Sequence, residues 1–352
     1  MKIASPLLAL VVSTLLLPAQ ERRPRPQPRG ELKLANLRYE SREFESAALG
    51  KKQANYSIFV PKDYDDEKNK DQRYPLVLWL HGMFEDKDRF ATRGGAEILD
   101  RAVGDGLLPP CLFVCPEGRS SFWTNAMAKD QAWEDMVTKD LLHELEANWR
   151  VAPEREKRAI MGVSMGGFGA MKIAFKHPDL FGIVAVHSAA ILTEDPEKLQ
   201  EQFPWLRQRG ASLLAAIFGE PVDVEKYHAE NVLTLAKTVD VEKLAGLKIW
   251  FEAGTADRYK FHLTNGLLHD ALEERKIRHT WRLVDGGGHS WGEGATQEGL
   301  PQSLGFVAAQ FSVGRASAGL GALFGGEAGV DKGKDEGAKE APTKGDGEEK
   351  KR

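Results

Sequence analysis

The chain has 352 residues, 42% of them hydrophobic and 28% charged, with a formal net charge of −4. That balance is globular, and it excludes a global basic field of the kind that draws nucleic acid. Two cysteines in the whole chain exclude a dense disulfide scaffold.

At the N-terminus, Met1-Lys2 is followed by an apolar run from Pro6 to Leu17 and by Leu17-Pro18-Ala19. A short positive start, an apolar stretch too short to span a bilayer and a small residue are the layout of a secretory signal peptide cleaved after Ala19. A secreted or periplasmic protein with no stable membrane span is expected. Residues 20–36 are rich in proline and arginine and read as an extended linker. Residues 315–352 are mostly Gly, Lys, Glu, Asp and Ala, too polar to offset the entropy of ordering. One catalytic domain over 37–314 is left.

Within that domain the predicted elements alternate. Leu37–Ser46 and Gln53–Val60 read as an opening pair of strands, and Pro75–Leu80 as a strand covered on both faces. Gly95–Val103 reads as a short helix. Leu112–Cys115 is a buried strand that puts Cys111 and Cys115 about 13 Å apart on one face. A disulfide needs roughly 4.4–6.8 Å, so two buried free thiols are expected, and no partner ligands stand near them for a zinc site. Asp135–Trp149 has apolar residues at helical spacing. Lys157–Met161 (strand), Met165–Lys176 (helix) and Gly182–Val186 (strand) follow. A mostly helical insertion spans Ile191–Val239, and Leu247–Phe251 (strand), Phe261–Lys276 (helix), Thr280–Val284 (strand) and Gln302–Phe311 close the domain. Strands alternating with helices predict an α/β fold, a mostly parallel doubly wound sheet with helices on both faces.

The strongest chemical signal is Gly162-Val163-Ser164-Met165-Gly166-Gly167, placed between a strand pattern and a helix pattern. A sharp strand-to-helix turn needs small neighbours, because the serine sits at strained φ/ψ with its hydroxyl exposed. Ser164 is therefore the expected nucleophile. A serine hydroxyl needs a base, and in such folds the order is serine, acid, histidine. His289 follows Asp285-Gly286-Gly287-Gly288 at a strand end and is the expected base. His262, His269 and His279 read as solvated. Asp257, just beyond the strand ending near Phe251, is the expected acid, with Glu252 and Asp285 as rivals. The oxyanion donors are expected to be the backbone N–H groups of Met165 and Met83. Trp123, Trp133 and Trp291 are candidate substrate contacts or else core residues.

These motifs resemble the esterase D-like family of α/β-hydrolases. The resemblance rests on His-Gly-Met at 81–83, the serine motif at 162–167, Gly-Thr-Ala-Asp-Arg-Tyr at 254–259 and Gly-Gly-His-Ser-Trp at 287–291. Ser120–Asn125 and Trp133-Glu134 add to it, and it runs from about Ala54 to Phe311. That group includes S-formylglutathione hydrolases, feruloyl and acetylxylan esterases and mycolyltransferase antigens. The resemblance implies Ser164, Asp257 and His289 as a triad and no cofactor or metal. It departs after Trp291, where Gly292-Glu293-Gly294 stands in place of a further aromatic and leaves the acyl or leaving-group pocket open.

The expected activity is hydrolysis of a carboxylic ester, small or polysaccharide-linked, through an acyl-enzyme. The rivals are acyl transfer to a sugar or lipid alcohol, peptide hydrolysis, and a non-catalytic carbohydrate-binding relative.

Overall fold

A computed structural model of the protein describes residues 32–202, 204, 211–292 and 295–312. The expected signal peptide, most of the linker and the charged tail lie outside the described residues. Among those described, no helix is long and apolar enough to cross a membrane.

Eight strands form one sheet: β1 (Leu37–Ser46), β2 (Lys52–Pro61), β3 (Leu76–Leu80), β4 (Leu112–Pro116), β5 (Arg158–Val163), β6 (Ile183–His187), β7 (Lys248–Gly254) and β8 (Thr280–Val284). Their order is β1-β2-β4-β3-β5-β6-β7-β8. The opening hairpin pairs antiparallel, as does β2 with β4, and every later pairing is parallel. The exchange of β3 and β4 puts β3 beside β5 near the centre. There the apolar run of β3 divides by strand alternation: Leu76, Leu78 and Leu80 enter one core, while Val77 and Trp79 enter the other.

The helices are α1 (Ala96–Gly104), α2 (Trp133–Asp135), α3 (Leu142–Asn148), α4 (Met165–Lys176), α5 (Leu199–Gln202), α6 (Ala211–Phe218), α7 (Val224–Glu230), α8 (Val232–Thr238), α9 (Phe261–Glu274) and α10 (Gly299–Phe311). A wider turn over Met136–Leu141 joins α2 to α3, so the predicted helix over 135–149 is continuous but not uniform. Residues of α4, α8 and α9 fill one core, and Leu99 of α1 with Leu300, Leu304 and Val307 of α10 fill the other. Cys111 and Cys115 are buried free thiols, and burial pushes the Cys111 thiol up to about 12.

The insertion between β6 and β7 carries α5 to α8. Asn231 fastens it: its Oδ1 accepts from the Leu233 and Thr234 amides at 2.9 and 3.1 Å, capping α8. Its Nδ2 donates to the Leu192 and Thr193 carbonyls at 3.0 and 2.9 Å, closing the segment back onto the chain leaving β6.

Candidate active site

Ser164 is the single residue between β5 and α4, with φ 57° and ψ −119°. A side-chain-bearing residue holds that conformation only when its surroundings over-determine it. Here the Ser164 N–H donates to the His187 carbonyl at 3.0 Å, and the Ser164 carbonyl accepts from Ala190 and Phe168 at 2.9 and 3.0 Å. Strand β6 and helix α4 thus clamp the elbow from both sides. Glycine is required two residues on, because a Cβ at Gly166 would lie 1.9 Å from the Leu80 carbonyl oxygen. The close approach of α4 to the end of β3 brings the loop after β3 over the serine. A Cβ added at Gly82 would stand 3.6 Å from the Ser164 Cβ.

That loop carries one expected oxyanion donor. The Gly82 N–H donates to Glu85 Oε2 at 2.8 Å, and Glu85 is held by Arg89 and Arg93 at 3.2 and 3.5 Å. His81 anchors the loop from below: its Nε2 accepts from the Gly118 N–H at 2.9 Å, so the ring proton sits on Nδ1 and is donated to the Gly82 carbonyl at 2.7 Å. Among the described residues, the Met83 and Met165 amides donate to no other protein group. Amides without another acceptor are what an oxyanion hole would use.

Asp257 and His289 come from different loops and meet. The Asp257 carboxylate is buried, and its Oδ2 lies 2.9 Å from His289 Nδ1. Its Oδ1 accepts from the Tyr259 N–H at 2.8 Å. One oxygen therefore fixes the acid to its own turn while the other orients the imidazole. Tyr259 and Phe261 pack against the His289 ring at centroid distances of 4.6 and 5.3 Å.

The two loops are laced together. Thr255 N–H donates to the Val284 carbonyl and Ala256 N–H to the Gly287 carbonyl, both at 2.9 Å, and the Thr255 hydroxyl accepts from Gly286 N–H. A Cβ at Gly254 would fall 2.0 Å from the Gly287 oxygen, so the contact tolerates only glycine. Gly254→Ala is expected to lower unfolding free energy by about 1–3 kcal/mol, read from denaturant midpoints. A change within about 0.5 kcal/mol would show that the histidine loop yields without cost.

Both rival acids have other partners. Glu252 is buried at the end of β7, with Oε1 2.7 Å from His187 Nδ1 and Oε2 2.6 Å from Arg282 Nη1. Asp285 accepts from the Thr255 hydroxyl at 3.1 Å and so braces the loop pair. Of the three tryptophans, Trp123 is fully buried, and its indole N–H donates to the His81 carbonyl at 3.3 Å. Trp291 is buried against Trp79 and Phe90, with the Arg93 guanidinium 5.7 Å from its ring centre. Both are core residues here. Trp133 is also buried in the core, and it lines a cavity of about 180 Å³ with Arg119, Ser120, Ser121 and Ile217.

The remaining histidines correct an expectation. His262 Nδ1 is buried without a partner, and the His279 side chain is almost wholly buried against His269; none of these three is simply solvated. Sequence reasoning also passed over a buried ionic group behind α4. Lys172 Nζ lies 2.8 Å from both Glu134 and Glu230, and donates to the Trp123 carbonyl and the Thr124 hydroxyl at 2.9 and 2.8 Å. Its signal was present: one lysine stands inside an otherwise apolar helical run from Met165 to Phe175.

Residues 46–304 match the model of the Esterase family, described as "Putative esterase". An esterase of Mycobacterium tuberculosis is 28% identical over 225 residues, covering 60% of this chain and 45% of the relative. An endo-1,4-beta-xylanase/feruloyl esterase of Xylanibacter ruminicola is 28% identical over 163 residues, covering 45% of this chain and 22% of the relative. The chain therefore spans less than half the length of either. A ferulic acid esterase structure superposes with a TM-score of 0.64 at 26% identity, covering 79% of this chain and all of that one. The sheet and its helices form an α/β-hydrolase fold.

Proposed function

The chain belongs to the esterase family, and on that premise we propose that it is an exported serine esterase working through Ser164, His289 and Asp257. The observation that carries the reading is the pairing of a strained serine elbow with a buried Asp257–His289 hydrogen bond of 2.9 Å. With His289 Nδ1 held by Asp257, Nε2 is the nitrogen that takes the Ser164 proton as Oγ attacks the ester carbonyl. The oxyanion that forms accepts from the Met83 and Met165 amides, and the N-terminal end of α4 favours its charge. His289 then gives its proton to the leaving alcohol. Water, deprotonated by the same ring, releases the acid and restores Ser164.

The substrate is proposed to be an ester of an aromatic acid or an acetylated sugar, small or attached to a polysaccharide. Trp133 with the Arg119 guanidinium 5.9 Å from its ring centre, beside Ser120 and Ser121, offers an aromatic face with polar edges. The feruloyl esterase relatives point the same way. Export rests on the N-terminal sequence pattern.

A panel of short acyl, feruloyl and acetylated-sugar esters tests this reading. The Asp257→Asn variant is expected to lose about 10³–10⁴-fold in kcat on whichever ester is turned over, because it favours the wrong tautomer of His289. Trp133→Ala is expected to raise KM for the feruloyl ester and leave the short acyl ester unaffected. Full activity in Asp257→Asn would remove the triad, and an equal effect of Trp133→Ala on all esters would remove the cavity as an acyl or sugar site.

A further inference from the structure

Away from the candidate active site, helix α9 carries His269 and Glu273 one turn apart on the same face. The chain then turns and brings His279 beside them, one residue before β8. His269 Nδ1 lies 2.8 Å from His279 Nε2, and Glu273 Oε1 lies 3.7 Å from that same nitrogen. One ligand atom from each of the three residues falls within 4.8 Å of the others. Two imidazoles and a carboxylate are a donor set that suits zinc.

The rings are oriented in advance. His279 stacks on Phe251 at 5.6 Å and 22°, and His269 stacks on Trp281 at 6.2 Å and 26°. Phe251 and Trp281 in turn lie 4.9 Å apart. The His279 Nδ1–H donates to the Ile277 carbonyl at 2.8 Å, which turns the Nε2 lone pair towards His269 and Glu273. A backbone carbonyl holding the distal ring nitrogen is the outer-shell partner that metal-binding histidines commonly have.

A tetrahedral zinc at about 2.0–2.1 Å from each donor sets ligand atoms roughly 3.3 Å apart. The observed 2.8 and 3.7 Å bracket that spacing, and the third pair lies within 4.8 Å. We propose that His269, Glu273 and His279 form a zinc site that pins α9 to the start of the edge strand β8, with water completing the tetrahedron. The present His269–His279 hydrogen bond holds a proton on His269 Nδ1. Zinc takes the Nδ1 lone pair of the other neutral tautomer: the His269 proton moves through solvent from Nδ1 to Nε2, no net H⁺ is released from the two neutral rings, and the hydrogen bond becomes two coordinate bonds. The site lies at the opposite end of β8 from the His289 loop, about five residues or 17 Å along the strand, so it forms no part of the proposed ester chemistry.

The test is calorimetric titration of the full-length protein, stripped with chelator, with Zn²⁺ at pH 7.5 and 5.5. One site of micromolar or tighter affinity is expected, weaker at the lower pH and not displaced by excess Mg²⁺ or Ca²⁺. The unfolding midpoint should rise with zinc, and Co²⁺ should give the intense visible absorption of tetrahedral coordination. His269→Gln is expected to weaken binding about 100-fold and the exposed Glu273→Gln about 10-fold. Both variants spare the buried His279, and circular dichroism checks that they fold. No binding by the wild type, or unchanged affinity in folded His269→Gln and Glu273→Gln, would overturn the site.

Discussion

Ser164→Ala is expected to lower ester hydrolysis by about 10⁴–10⁶-fold and to abolish labelling by a fluorophosphonate probe, with the fold retained. The size follows from the cooperative use of the group: without the hydroxyl, the Asp257–His289 pair has nothing to deprotonate, and only the oxyanion amides and substrate binding remain. The fold should survive because the elbow is held through backbone groups, the Ser164 amide on His187 and its carbonyl on Ala190 and Phe168. A second variant separates strain from chemistry. Ser164→Gly removes the Cβ that makes φ 57° costly, so it should be equally inactive yet more stable, by about 1 kcal/mol. Undiminished hydrolysis or labelling in Ser164→Ala would place the nucleophile elsewhere.

Lys172→Met is expected to be the most damaging single change outside the active site, costing about 3–5 kcal/mol of stability. Lys172 is fully buried between Glu134 and Glu230, with Lys176 and His177 completing the group from the outer side at 2.7–2.9 Å. The cluster joins α4, α2, α7 and the turn at Trp123–Thr124. Removing its central cation leaves two buried carboxylates facing each other. Burial alone would raise the Glu134 carboxyl, but Lys172, His177 and Lys176 together outweigh that and hold it well below the usual carboxylate range. A depressed carboxyl contributes stability above its unfolded pKa, about 4.3, and loses it only as pH falls through the lower folded value. The wild type should therefore keep this contribution down to about pH 4. In Lys172→Met the balance inverts: the penalty should be largest at neutral pH and already shrink as pH falls from above towards the unfolded value of about 4.3, because carboxyls raised by burial take up protons before that value is reached. Denaturant unfolding of both proteins between pH 3 and 8 reads the difference. A penalty independent of pH would reduce Lys172 to a packing residue.

Much of the candidate site's geometry was legible because its signals are local. The Ser164 elbow needs small residues immediately around it, and the sequence shows them at 162, 166 and 167. The histidine loop needs glycines after a strand, and it has three. Asp257 was harder, since Glu252 and Asp285 stand at comparable strand ends; partner identity separates them, and Glu252 proves committed to His187 and Arg282. The tryptophans were ambiguous for a related reason. A large aromatic near a site motif has the same sequence appearance whether it only fills a core, as Trp123 and Trp291 do, or is a core residue that also lines a cavity, as Trp133 is.

The sequence by itself determined the alternation of strands and helices, the buried character of β3 and β5, and the serine and histidine turns. Each depends on side-chain periodicity or on steric demands within a few residues. Tertiary structure alone decided which groups meet across long stretches of chain: Asp257 with His289, Lys172 with Glu134 and Glu230, Glu252 with His187, and His269 with His279. Such pairings are fixed by the strand order, which exchanges β3 and β4 and sets β7 beside β8, and by desolvation, which makes an unpaired buried charge too costly to leave. Neither is written in the spacing of residues along the chain.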